Sequence, residues 1–117
     1  MEKLRLPAIM EEAKAKPLSY NPHTQEYIYY EDVAAGKQKI YPVQLLDNKQ
    51  KKKLTQKRYS ASETGDVIST LNGEAYTRKQ IIEEIENDTP VGTGFADLDM
   101  NYLMFYLEDF PKEAFGE

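Results

Sequence analysis

Few residues in this chain have types and spacing suited to chemistry. His23 is the only histidine and cysteine is absent, so a Cys–His pair, a thiolate metal site and a disulfide framework are all excluded. His23 lies in the turn-rich segment 19–24 with no serine motif to complete a hydrolytic triad, and it reads as a surface residue. Asp97 and Asp99 have the right chemistry for a divalent cation. Two apart on a helix, however, they point about 200° from each other, too far to share one ion. Val91-Gly92-Thr93-Gly94 precedes an apolar helix and is placed where an anion could sit at a helix N-terminus. It lacks the lysine and the spacing of a phosphate-binding loop, so it reads as a flexible lead-in. Nothing in the chain calls for a metal or a cofactor, and the expectation is a protein that is not an enzyme.

Charge is the most informative feature. The formal net charge of −5 divides into −2 over residues 1–36, +7 over 37–58 and −10 over 59–117. Such segregation bears on partners more than on fold. The basic block offers Lys49, Lys51, Lys52, Lys53, Lys57 and Arg58 for phosphates, with Tyr59 to stack on a base. No nucleic-acid-binding fold signature accompanies them, and the acidic half would repel the same backbone. Direct nucleic-acid binding is therefore the alternative, not the first expectation.

The acidic half carries Glu63, Asp66, Glu74, Glu83, Glu84, Glu86, Asp88, Asp97, Asp99, Glu108 and Asp109. Carboxylates fixed on a rigid scaffold present a pattern that a basic protein surface reads as nucleic acid, and they steer association in a salt-dependent way. The composition of this half resembles that of small acidic DNA-mimic inhibitors; no sequence motif is shared. The resemblance implies a regulator or inhibitor whose partner is a basic protein, such as a nucleoid or other DNA-binding protein. A solvated acidic face that only keeps the protein soluble is the competing explanation.

The elements that must position these groups follow from pattern. The 117 residues suit one domain, 1–117. Leu, Ile, Val and Phe total only 25, near the composition at which chains stay unfolded, but nine tyrosines add amphipathic rings that favour folding. Residues 7–16 read as a helix opened by Pro7 and stopped by Pro17. Residues 26–31 are aromatic and β-branched and read as a strand. Ala34-Ala35-Gly36 forms a turn, and 38–46 reads as a second strand that completes a hairpin, with Pro42 at an edge or bulge. The first half of the basic stretch 47–58 reads as an exposed turn, and 54–59 as a third strand.

Residues 66–71 read as a strand, Asn72-Gly73 as a tight turn and 74–76 as the returning strand. Thr77 and Gln80 form a capping box for a helix running to about Asn87. Residues 88–94 read as a loop and 95–110 as the last helix, with Phe95, Leu98, Tyr102, Phe105 and Tyr106 on one face and Met100, Met104 and Leu107 on another. A helix apolar on nearly all sides is either central to the core or meets a partner. The core reading is favoured, and assembly through Met100, Met104 and Leu107 is a further alternative.

The expected fold is α+β: an antiparallel sheet of about four or five strands with one N-terminal helix and two C-terminal helices. No apolar run is long enough to cross a membrane. The start of the chain lacks the apolar stretch of a signal peptide, so a cytoplasmic location is expected. The expected function is binding of a basic partner by the acidic surface.

Overall fold

The computed structural model describes residues 5–9, 11–61, 68–71 and 73–116. After a single turn, α1 (Glu11–Lys14), the chain forms a short hairpin of β1 (Ser19–Asn21) and β2 (Glu26–Ile28), then α2 (Tyr30–Ala34). A 3₁₀ turn at Val43–Leu45 leads into α3 (Asn48–Ser60). A second hairpin, β3 (Ile68–Leu71) and β4 (Glu74–Thr77), runs directly into α4 (Arg78–Glu86) and α5 (Pro90–Leu107), and a 3₁₀ turn at Lys112–Ala114 closes the described chain.

The fold mixes helix and strand as expected, but the sheet does not. Among the described residues, two separate two-stranded antiparallel hairpins replace a sheet of four or five strands. In the first, Ser19 faces Ile28 and Asn21 faces Glu26, with the Asn21 side chain accepting from the backbone N–H of His23 at 2.8 Å. The expected strand 26–31 thus ends at Ile28, and its partner is the segment before it. The expected strand 38–46 contributes only a bridge between Ile40 and Phe115, where Ile40 N–H donates to the Ala114 carbonyl at 2.7 Å. Its remainder tightens into the 3₁₀ turn after Pro42. The N-terminal helix expected over 7–16 is reduced to the one turn of α1 among the described residues. The second hairpin agrees with its expected strands from Ile68 onward. Residues 66 and 67 and the turn residue Asn72 lie outside the described residues, and Gly73 takes the left-handed conformation, φ 82°, that such a turn demands.

The largest correction is α3. The stretch expected to be a turn and a strand is a 13-residue helix. Asp47 caps it, accepting from Gln50 N–H at 2.8 Å, while the Gln50 side chain accepts from Asp47 N–H at 2.9 Å. This is a reciprocal capping box, followed by Lys, Gln and Leu, all good helix formers. The same device opens α4, where Thr77 and Gln80 exchange the bonds expected of them. The other change concerns α5, which starts at Pro90 and not at Phe95. Thr89 caps it by accepting from Gly92 N–H at 3.0 Å, and Pro90 occupies the first turn, where a missing N–H costs nothing. The loop expected over 88–94 is therefore mostly helix.

The main core gathers Leu18, Tyr20, Ile28, Val33, Ile40, Val43, Leu46 and Leu54 against Met100, Leu103, Leu107 and Phe110 of α5 and the segment after it. A smaller cluster of Ile81, Ile85 and Phe95 is edged by Tyr59 and Tyr76, whose rings stand at 84° and 81° to that of Phe95, the edge-on geometry aromatic pairs prefer. At about 100° per residue Phe95 keeps to the line of Tyr102, but Tyr59 and Tyr76 cover it, so it is buried where Leu98, Tyr102 and Phe105 are not.

Candidate functional site

The charge blocks meet inside the fold. Helix α3 carries six basic side chains and no carboxylate, while residues 80–111 carry eight carboxylates and no basic side chain. Hydrogen bonds run in reverse order between α3 and α4, Lys52 to Glu86 and Gln56 to Ile82, so the two helices lie antiparallel. Lys52 Nζ is 3.3 Å from Asp88 Oδ2 and donates to the Glu86 carbonyl at 2.8 Å. Gln56 Nε2 donates to Glu86 Oε2 at 2.8 Å. Arg58, 6% exposed, donates to both oxygens of Asp99 at 2.8 and 3.3 Å and to the Pro17 carbonyl at 2.9 Å. That buried fork ties α3 to α5 and to the segment before β1, so Arg58 and Asp99 are structural partners. The exposed Lys52–Asp88 pair is worth no more than about 1 kcal/mol.

The expected acidic surface divides accordingly. Glu63 and Asp66 lie outside the described residues. Asp88 and Asp99 are paired with α3. Glu84 accepts from Thr89 Oγ1 at 2.9 Å and Glu74 from the Tyr76 hydroxyl at 2.9 Å, a bond that pushes the Tyr76 hydroxyl pKa up. Among the described residues, Glu83, Asp97, Glu108 and Asp109 are exposed and in no ion pair. Three of these four belong to α5 or follow its end.

The basic set divides too. Arg58 is buried, and Tyr59 is half-buried against Phe95, where burial and the nearby Asp99 carboxylate push its pKa up to about 12. Lys51 and Lys52 turn toward α5 and line a groove of about 520 Å³ with Asp88, Asp97, Met100 and Met104. Lys49, Lys53 and Lys57 recur every fourth residue on the outer side, all exposed. Lys53 Nζ rests 5.8 Å from the Tyr20 ring centre and Lys57 Nζ 5.6 Å from that of Tyr27.

The outer face of α5 is apolar. Leu98, Tyr102 and Phe105 are 55%, 63% and 73% exposed, and at about 100° per residue they form one stripe. Tyr102 stacks on Tyr106 with ring centres 6.4 Å apart. Asp97 and Asn101 flank the stripe, and Glu108 and Asp109 close its C-terminal end. Conversely, Met100 and Leu107, expected as part of an assembly face with Met104, are core residues 5% exposed. The spacing of Leu98, Tyr102 and Phe105 was visible in the sequence. Which side of a nearly all-apolar helix faces outward was not.

Among the described residues no three His, Asp or Glu side chains converge as metal ligands, and no helix is long and apolar enough to cross a membrane. Asp97 is exposed while Asp99 is held by Arg58, the divergence that helical geometry requires. Comparison with known protein families, curated proteins and solved structures found no match.

Proposed function

We propose that this chain is a non-enzymatic interaction protein that holds a basic, amphipathic segment of a partner protein on the outer face of α5. The carrying observation is the stripe of Leu98, Tyr102 and Phe105, each more than half exposed, bordered by carboxylates on a helix with no basic side chain. Isolated exposed apolar residues are ordinary, whereas three adjoining ones on one helical line mark contact surfaces. Aromatic anchors dominate the energetics of such contacts.

The charge argument supports a basic partner. The C-terminus of a helix carries partial negative charge, and here Glu108 and Asp109 add two carboxylates where cations are normally favoured. A lysine or arginine from a partner relieves that local conflict. Such a partner needs no DNA-like array of carboxylates, and Asp88 and Asp99 are already engaged by Lys52 and Arg58. A DNA-binding protein remains a fitting partner wherever its basic surface also carries apolar residues, and occupying that surface competes with DNA.

The test is calorimetric titration with two synthetic amphipathic helical peptides, identical except that Lys in one is Glu in the other. The basic peptide is expected to bind, more weakly as salt rises from about 50 to about 200 mM because exposed charges are then screened over shorter distances. Phe105→Ser is expected to weaken it about tenfold or more, equivalent to at least about 1.4 kcal/mol. Equal binding of the two peptides, or binding indifferent to Phe105→Ser, overturns the proposal.

A further inference from the structure

The geometry points to a second binding strip, independent of the first: the outer side of α3, with Lys49, Lys53 and Lys57 in line and Tyr27 beside them, takes single-stranded nucleic acid. Lysines four apart on a helix are about 6 Å apart along its axis, a repeat comparable to that of phosphates on an extended strand. Lys53 Nζ is already held over the Tyr20 ring, so less side-chain freedom is lost when a phosphate arrives; Lys57 Nζ, which rests over the Tyr27 ring, moves from it to a phosphate when a base takes that ring. Between Lys53 and Lys57 lies a shallow depression of about 330 Å³ lined by Tyr27, Gln56, Ser60 and Ile82. A base lowered into it meets the Tyr27 ring and the Ile82 side chain while its phosphates reach the two lysines. Stacking of this kind tolerates any base and requires an unpaired one, which favours a single strand over a duplex.

Among the described residues the charges opposing this are local and few. Helix α3 has no carboxylate, and Glu86 already accepts from Gln56. Glu26, adjoining Tyr27, and Glu83, adjoining Ile82, are exposed. The carboxylates at the far end of α5 are screened beyond about 10 Å at 0.1 M salt. The strip also separates lysines that adjoin in sequence: Lys51 turns into the groove with α5, while Lys53 faces the depression.

The experiment is fluorescence anisotropy of a labelled oligothymidylate, with a duplex of equal length and heparin as comparison polyanions. The single strand is expected to bind more tightly than the duplex, with log K falling against log salt at a slope of about −2, the value for three phosphates on a single strand. Lys53→Ala is expected to reduce that slope by about 0.7, and Lys51→Ala to leave it unchanged. Tyr27→Ala is expected to weaken binding about tenfold and Tyr27→Phe to restore it. No binding at low salt overturns the proposal, as does equal binding of duplex or heparin, equal damage from Lys51→Ala and Lys53→Ala, or indifference to Tyr27→Ala. Because no α5 residue is altered and no peptide is present, these outcomes are separate from those of the peptide titration.

Discussion

Thr55 is fully buried on α3 with no hydrogen-bond partner for its hydroxyl among the described residues. A buried polar group left unpaired costs about 1–3 kcal/mol, and valine has the same shape without the hydroxyl. Thr55→Val is therefore expected to raise the urea midpoint, adding about 1 kcal/mol to stability. The opposite case is Arg58 with Asp99. Removing one partner of a buried pair strands the other, so Asp99→Leu is expected to cost about 3–5 kcal/mol, while the double change Arg58→Met with Asp99→Leu costs far less than the two single changes added. Denaturation of the four forms measures both. Tyr59 supplies a pH signature. Its folded pKa of about 12 stands above the ordinary tyrosine value of 10.0, so its contribution is intact below pH 10 and is lost as the pH climbs toward 12. Tyr59→Phe should flatten that alkaline decline in stability, which unfolding curves at graded pH will show. At this scale some of the structure was legible: the Thr77 and Gln80 box stands in the sequence as it stands in the fold. The identical logic at Asp47 and Gln50 was masked by the lysine run, and nothing local distinguishes the buried Arg58 from its exposed basic neighbours.

Elements were legible where a local device specifies them and obscure where packing decides. The β3–β4 hairpin needs its glycine, and α4 needs its cap; both are written locally. Helix α3 has one aliphatic residue, Leu54, so apolar periodicity is faint, and it is held by its cap, its lysine stems and the carboxylates of α4 and α5. Helix α5 misled in the other direction, since its glycines read as loop. At Gly92 an added Cβ would stand 2.1 Å from the Glu84 carbonyl oxygen, a backbone collision that no rotamer relieves. The glycine is there because α4 and α5 touch backbone to backbone. Gly92→Ala is accordingly expected to destabilise the protein by about 3 kcal/mol or more, despite alanine's better helix propensity, and a drop in thermal midpoint will register it. If alanine were neutral or stabilising there, the close contact between the helices would be wrong.

For the whole molecule, charge segregation along the chain becomes charge pairing across the fold. The basic α3 and the acidic α4 and α5 neutralise each other where they meet, leaving lysines on one outer face and an acid-bordered apolar stripe on the other. The sequence carried the segregation in plain view but not the pairing, because the contacts between Lys52 and Asp88 and between Arg58 and Asp99 span 36 and 41 residues. Two faces of opposite sign on one small fold also predict that charge reversal acts locally: Asp97→Lys with Asp109→Lys should weaken the basic peptide several-fold and leave oligothymidylate binding within about twofold, since separate exposed sites couple weakly. The most direct test of the α5 surface is a footprint, the ¹⁵N–¹H spectrum of the full chain titrated with the basic amphipathic peptide. The largest shifts are expected on residues 94–109, centred on Leu98, Tyr102 and Phe105. Shifts concentrated on α3 or on the hairpins, with α5 unmoved, would contradict a binding face on α5.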